Sequence, residues 1–147
     1  GLGHLRRTLA SRGRALHYEF EQSKNRTVRG IVDGSHRSAF EVEVPHQVLA
    51  VVSMFGEVES IIHAEARPLV VGHRRVPFLG GAYVVLKHRN GVTGTLISHL
   101  DREHRTRRMR VASRSGELRC ACHARASSRR VCSPTVGDRT CTSTTVR

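Results

Sequence analysis

The sequence predicts an α+β fold, an open and mainly antiparallel sheet with helices packed on one face. Three observations carry that prediction. Residues 15–21 alternate apolar and polar side chains with a period of two. Arg89-Asn90-Gly91 separates two apolar stretches in the manner of a hairpin turn. Pro45 opens a run whose apolar residues cover more than one helical face.

Taken in order, Leu5 and Leu9 stand four apart within residues 4–12, the spacing of a short amphipathic helix that Gly13 is expected to stop. Leu16, Tyr18 and Phe20 then share one face of a half-buried strand. Residues 22–38 read as a polar loop, with Gly30, Asp33 and Gly34 supplying turn chemistry. Proline suits a first helical turn, where its missing N–H has no partner to lose, so a second helix starts at Pro45. Val48, Leu49, Val51, Val52 and Phe55 make that helix largely buried, and Gly56 ends it. Four more strands are expected over residues 58–66, 82–88, 92–100 and about 107–112. Asn90-Gly91 joins the third and fourth of the five strands, because both residues tolerate positive φ. Ser115-Gly116 marks a further turn.

The chain has 147 residues, which suits one domain or one domain with a tail. Its 25 basic residues outnumber 12 acidic ones for a net charge of +13, and Lys24 and Lys87 are the only lysines. The longest apolar stretch, Val48 to Phe55, falls far short of the roughly 20 residues that cross a bilayer. With no signal-like segment at the start, a cytoplasmic protein without a membrane partner is expected, and the opening Gly1 suggests a piece of something longer. Residues 1–118 carry +8 and residues 119–147 carry +5. The second segment also holds every cysteine (Cys120, Cys122, Cys132, Cys141), nine Ser/Thr, and only Val131, Val136 and Val146 as larger aliphatics. The expected division is an incomplete domain over 1–118 and a basic tail over 119–147, disordered for lack of apolar area or read out of frame.

Several chemical signals fail on spacing. Gly1-Leu2-Gly3 lacks the third small residue, since Arg6 stands there, and lacks a preceding strand, so no cofactor-binding residue is assigned. Cys120-Ala-Cys122-His123 with Cys132 and Cys141 lacks paired C-x2-C knuckles, so no metal ligand is assigned. Arg102, Arg105, Arg107, Arg108 and Arg110 suggest a small basic nucleic-acid-binding protein that would use Arg102–Arg110 and the tail. On a strand those arginines divide between both faces, and the six aromatics form no stacking platform, so nucleic acid is the disfavoured partner. His46 differs from the nine other histidines. It follows Pro45 in a helix's first turn, downstream of Glu41 and Glu43, and the free N–H groups of a helix start suit an imidazole acting as acid or base.

Five segments, in this order, resemble the C-terminal half of the glucose–fructose oxidoreductase/inositol dehydrogenase (Gfo/Idh/MocA-like) family. They are Ala39-Phe-Glu-Val-Glu-Val-Pro-His-Gln47, Gly56-Glu-Val58, Gly80-Gly-Ala-Tyr-Val-Val-Leu86, Asn90-Gly-Val-Thr-Gly-Thr-Leu96 and Ser113-Arg-Ser-Gly-Glu-Leu118. The resemblance covers about 115 residues, none of them from the nucleotide-binding half. It implies an oxidoreductase acting on a sugar, inositol or related polyol, with NAD or NADP held by a separate Rossmann domain absent from this sequence. It places the family's helix-start histidine, which helps move a substrate hydroxyl proton, on His46. The family's aspartate four residues earlier is replaced by Val42, leaving Glu43 or Glu41 as substitutes. Gln47, His36 and Arg37 are assigned to a polyhydroxylated substrate. The implied partners are the missing Rossmann domain and a second copy on the open sheet face. The fragment alone is expected to bind neither nucleotide strongly and to be inactive, since hydride chemistry belongs to the cofactor. A non-catalytic dimerisation module with the same fold is a further reading.

Overall fold

A computed structural model describes residues 13–25 and 36–123, together with Arg7 and Thr27; the helix expected over 4–12 and most of the tail lie outside the described residues. The elements are β1 (Ala15–Asn25), α1 (Ala39–Val42), α2 (Val44–Phe55), β2 (Val58–Val71), β3 (Arg74–His88), β4 (Thr93–His99), β5 (Asp101–Ser113) and β6 (Gly116–His123). They form one six-stranded sheet in the order β2-β3-β4-β1-β5-β6. All neighbours are antiparallel except β1 and β4, which run parallel. The α+β expectation therefore holds, with one parallel seam at its centre.

Register explains which face is buried. Leu86, Gly94, Tyr18, Val111 and Leu118 lie side by side across five strands, followed by Val84, Leu96, Phe20, Met109 and Cys120. Both rows face α2, whose Val51 and Phe55 complete the core. Tyr18 stacks on Phe55 with ring centroids 4.4 Å apart. Gly94 is required beneath that pair, because a Cβ there would stand 1.8 Å from Tyr18 Cζ.

The far end of α2 is held by the Asn90-Gly91 hairpin. The last carbonyls of a helix have no partner within it. Here Asn90 Nδ2 donates to Phe55 O at 2.8 Å, and buried His88 bonds Gly56 O through Nδ1, also at 2.8 Å. A carbonyl only accepts, so Nδ1 carries the proton and Nε2 accepts from the Tyr18 hydroxyl at 2.9 Å. Burial pushes the Tyr18 hydroxyl pKa up from its ordinary value, which suits a donor.

The structure starts β5 at Asp101 rather than near Arg107, and corrects four other element boundaries. First, β1 continues through Asn25, so Gln22 and Lys24 belong to a strand rather than a loop. The second correction lengthens β2 and β3 into an arm that turns at Gly72 and His73 and contains Pro68 and Pro77, residues that a strand interior ordinarily excludes. Those prolines lie where the ladder is broken. Arg67 pairs Gly81 and Leu69 pairs Val76, so residues 77–80 oppose Pro68 alone. Phe78 takes φ +64 in that bulge, and a Cβ on Gly80 would stand 2.1 Å from Pro68 O. Third, the sheet has six strands instead of five, and the expected boundary at Leu118 falls inside β6. Last, α2 begins at Val44, one residue before Pro45, and is preceded by the single turn of α1. No helix among the described residues is long and apolar enough to cross a membrane.

Candidate functional site

The candidate residues gather where α2 begins, over the polar end of the sheet's helix face. Beyond the two apolar rows comes a third, made of Ala82, Ser98, Gln22, Arg107 and Cys122. The period-2 face of β1 thus changes from Tyr18 and Phe20 to Gln22 and Lys24 as it passes under the start of the helix.

Glu43 joins α1 to α2 and is only 1% exposed. A carboxylate so deeply buried needs partners. It accepts hydrogen bonds from Gln22 Nε2 and from Lys24 Nζ, the latter at 2.8 Å. Gln22 Oε1 in turn accepts from Arg107 Nε at 3.0 Å. The result is a chain from Arg107 through Gln22 to Glu43 and Lys24, drawn from β5, β1 and the helix start. Burial, with Arg105 along the strand, lowers the Arg107 pKa from its ordinary value, while Glu43 opposes that shift.

Gln47 lies one turn into α2 and is fully buried. Its Nε2 donates at 3.0 Å to both Phe20 O on β1 and Ile97 O on β4, pinning the helix across the parallel seam. His46, one residue earlier, is exposed in the first turn of α2. Glu43, His46 and Gln47 therefore occupy one turn, with Glu43 and Gln47 in the interior and the imidazole in solvent. His36 is half-buried and Arg37 exposed ahead of α1, and the Arg37 backbone N–H donates to Glu41 Oε2 at 3.0 Å.

Sequence reasoning missed Gln22, Lys24 and Arg107 as members of this cluster. The signal was available: the alternation of Tyr18 and Phe20 continues to Gln22 and Lys24 if the strand is not ended early. The arginines of β5 divide between the faces as strand geometry requires. Arg107 turns toward α2, while Arg108 and Arg110 reach Glu21 and Glu19 on the opposite, outer face at 3.9 and 4.0 Å. On that face Arg102 bonds Glu21 at 2.9 Å, and Arg67 donates to His99 Nδ1 at 3.0 Å. Among the described residues no three His, Cys, Asp or Glu side chains are grouped to hold a metal ion. Cys120 packs against the core, while Cys132 and Cys141 lie outside the described residues.

No protein-family model matches the sequence, and no curated protein sequence is similar to it. Solved structures do match the fold. The WlbA dehydrogenase from Bordetella pertussis, in complex with NADH and UDP-GlcNAcA, aligns over 83% of this chain and 40% of its own, at 17% identity and a TM-score of 0.66. The fold is shared with part of such Gfo/Idh/MocA-type dehydrogenase structures. The UDP-N-acetylglucosamine 3-dehydrogenase GnnA from Acidithiobacillus ferrooxidans aligns over 82% of this chain and 36% of its own, at 16% identity and a TM-score of 0.57. A levoglucosan dehydrogenase in complex with NADH and L-sorbose aligns over 91% and 42%, at 12% identity and a TM-score of 0.59. The chain thus spans about two fifths of the length of the structures it resembles.

Proposed function

We propose that this chain is the substrate-side part of an NAD(P)-dependent oxidoreductase acting on a sugar, inositol or related polyol. The observation that carries the reading is the exposed imidazole of His46, on the first turn of the helix that covers a sheet of this dehydrogenase fold. The helix presents His46 to solvent, while Gln47 and Glu43 anchor the same turn from below. An imidazole so placed takes the proton of a substrate hydroxyl as its carbon gives up hydride. Lys24 lies at the same end, and His36 and Arg37 precede it, as further contacts for a polyhydroxylated ligand. Gln47 supports that turn by fixing it to β1 and β4.

A nicotinamide cofactor supplies hydride acceptance when bound, and the described residues do not fit a cradle for it. A dinucleotide site needs a glycine turn between a strand and a helix, so that bare backbone meets the pyrophosphate. Here α2 follows α1, and the buried side chain of Glu43 stands at the junction. This chain's residues bind and orient the substrate and move its hydroxyl proton, and the dinucleotide belongs to another domain. The outer sheet face, where exposed Tyr83 stands with cross-strand ion pairs, offers the contact for a second copy.

The test is hydride transfer to NAD or NADP, across a panel of polyols, by the protein that carries this chain. His46→Ala should lower the rate by about 100- to 10,000-fold, the range for removing a general acid–base, and leave the thermal midpoint unchanged. An unchanged rate overturns the assignment. Purified residues 1–147 should show no turnover with either nucleotide, and turnover there overturns the placement of the cofactor outside this chain.

A further inference from the structure

Building on the polyol reading above, we propose that Arg107 recognises an oxyanion on the substrate, so that the ligand is an acidic sugar rather than a neutral polyol. Arg107 stands opposite Gln22 in the β1–β5 register, which raises it on the helix face. Its Nε–H is fixed to Gln22 Oε1 at 3.0 Å, and Gln22, 2% exposed, is itself fixed to Glu43. One edge of the guanidinium is therefore locked by a buried amide that is locked in turn. The two terminal NH2 groups bond no carboxylate among the described residues. Such a fork, with its plane set beforehand, matches the paired oxygens of a carboxylate or phosphoryl group.

Charge favours the same ligand. Glu43 is the nearby carboxylate, and it already accepts from Gln22 and Lys24. Arg105 and burial both disfavour the cation at Arg107, and Glu43 offsets this only in part. An oxyanion brought by the ligand supplies the missing counter-charge, and Lys24, partly exposed beyond Glu43, extends the same positive end. His46 follows Glu43 by three residues at this helix end, and in this proposal one ligand brings its oxyanion to Arg107 and its hydroxyl to His46.

The test is titration of the full chain with D-glucuronate, D-glucose 1-phosphate, D-glucose and inorganic phosphate at one ionic strength, followed by NMR of the arginine Nε–H groups. At least one acidic sugar should bind tenfold or more tightly than glucose and shift the Arg107 signal, and the better of the two identifies carboxylate or phosphoryl as the source. Arg107→Gln should reduce that affinity to the level of glucose. Arg107→Lys, which keeps the charge and the volume, should retain the fold and lose the bidentate part. Arg102→Gln on the outer face should leave that affinity unchanged. Glucose binding as tightly as the acids, with shifts at His46, overturns the proposal and leaves the polyol reading standing. Acid preference unchanged in Arg107→Gln also overturns it. Inorganic phosphate bound through Arg107 better than any sugar overturns both the acidic sugar and the polyol reading, as does a failure of every probe to bind.

Discussion

Gly94→Ala tests the arrangement beneath the helix most directly. The new methyl would stand 1.8 Å from Tyr18 Cζ and 2.2 and 2.3 Å from its two Cε atoms. Ordinary carbon–carbon contact is about 3.5–4.0 Å, so the ring must move by roughly 1.5–2 Å. Tyr18 is fully buried, stacked on Phe55, and bonded to His88, which leaves it no free direction. Overpacking of this kind costs about 1–3 kcal/mol. Loss of the hydroxyl–imidazole bond leaves a buried polar group unpaired, for about 1–3 kcal/mol more. The expected loss is thus on the order of 2–6 kcal/mol. Urea unfolding followed by far-UV circular dichroism measures it; at a slope of about 1–3 kcal/mol per molar, the midpoint should fall by at least about 0.7 M. The double variant Tyr18→Leu/Gly94→Ala should be clearly less destabilised than the two single losses combined, because the clash disappears with the ring. A Gly94→Ala protein within about 0.5 kcal/mol of wild type, or additive losses, would refute the close approach of ring to strand.

Gln47→Leu should cost about 1–3 kcal/mol by removing both ties across the parallel seam, measured by the same unfolding curves, and should lower hydride transfer further by releasing the His46 turn. Asn90→Ala should cost about 1–2 kcal/mol, because Phe55 O loses its cap, and hydrogen exchange should quicken in the last turn of α2 before elsewhere. Burial, then Arg102 and Arg67, lower the pKa of His99, against Glu21 and Asp101. Its folded value therefore lies below the unfolded one, and its contribution to stability is present above about pH 6.5 and lost as the pH falls toward the folded value. NMR titration should give a His99 midpoint below 6.5 that rises in Arg102→Gln; a midpoint at or above 6.5 in the wild-type chain contradicts the arrangement.

What was legible in the sequence was local. The Asn90-Gly91 turn, the Tyr18/Phe20 face and the Pro45 helix each announce themselves within a few residues, and each stands where expected. The pairing of β1 with β4 joins residues more than seventy positions apart, and no short pattern reports it. The arm formed by β2 and β3 carries Pro68 and Pro77, and a proline argues against strand unless the ladder is known to break there, so no local pattern reports it. Leu118 and Cys120 continue the core face of β6, but arginine and cysteine between and after them hide the alternation. The helix-start part of the site was readable from Pro45 and His46, while its strand part depended on Gln22 and Lys24 extending β1.

The helix that presents His46 is clamped at both ends. Gln47 ties its first turn to the sheet at Phe20 and Ile97, and His88 and Asn90 tie its last carbonyls to the hairpin between β3 and β4. A beam clamped this way can neither roll nor slide over the sheet. None of the clamping residues lies on the outer part of the β2–β3 arm, between the bulge and Gly72. The exposed tip of the arm, residues 70–75, is mechanically idle as far as the site is concerned, so its sequence can drift, be trimmed or accept a graft without moving His46, whereas Leu69 and Val76 behind it belong to the core.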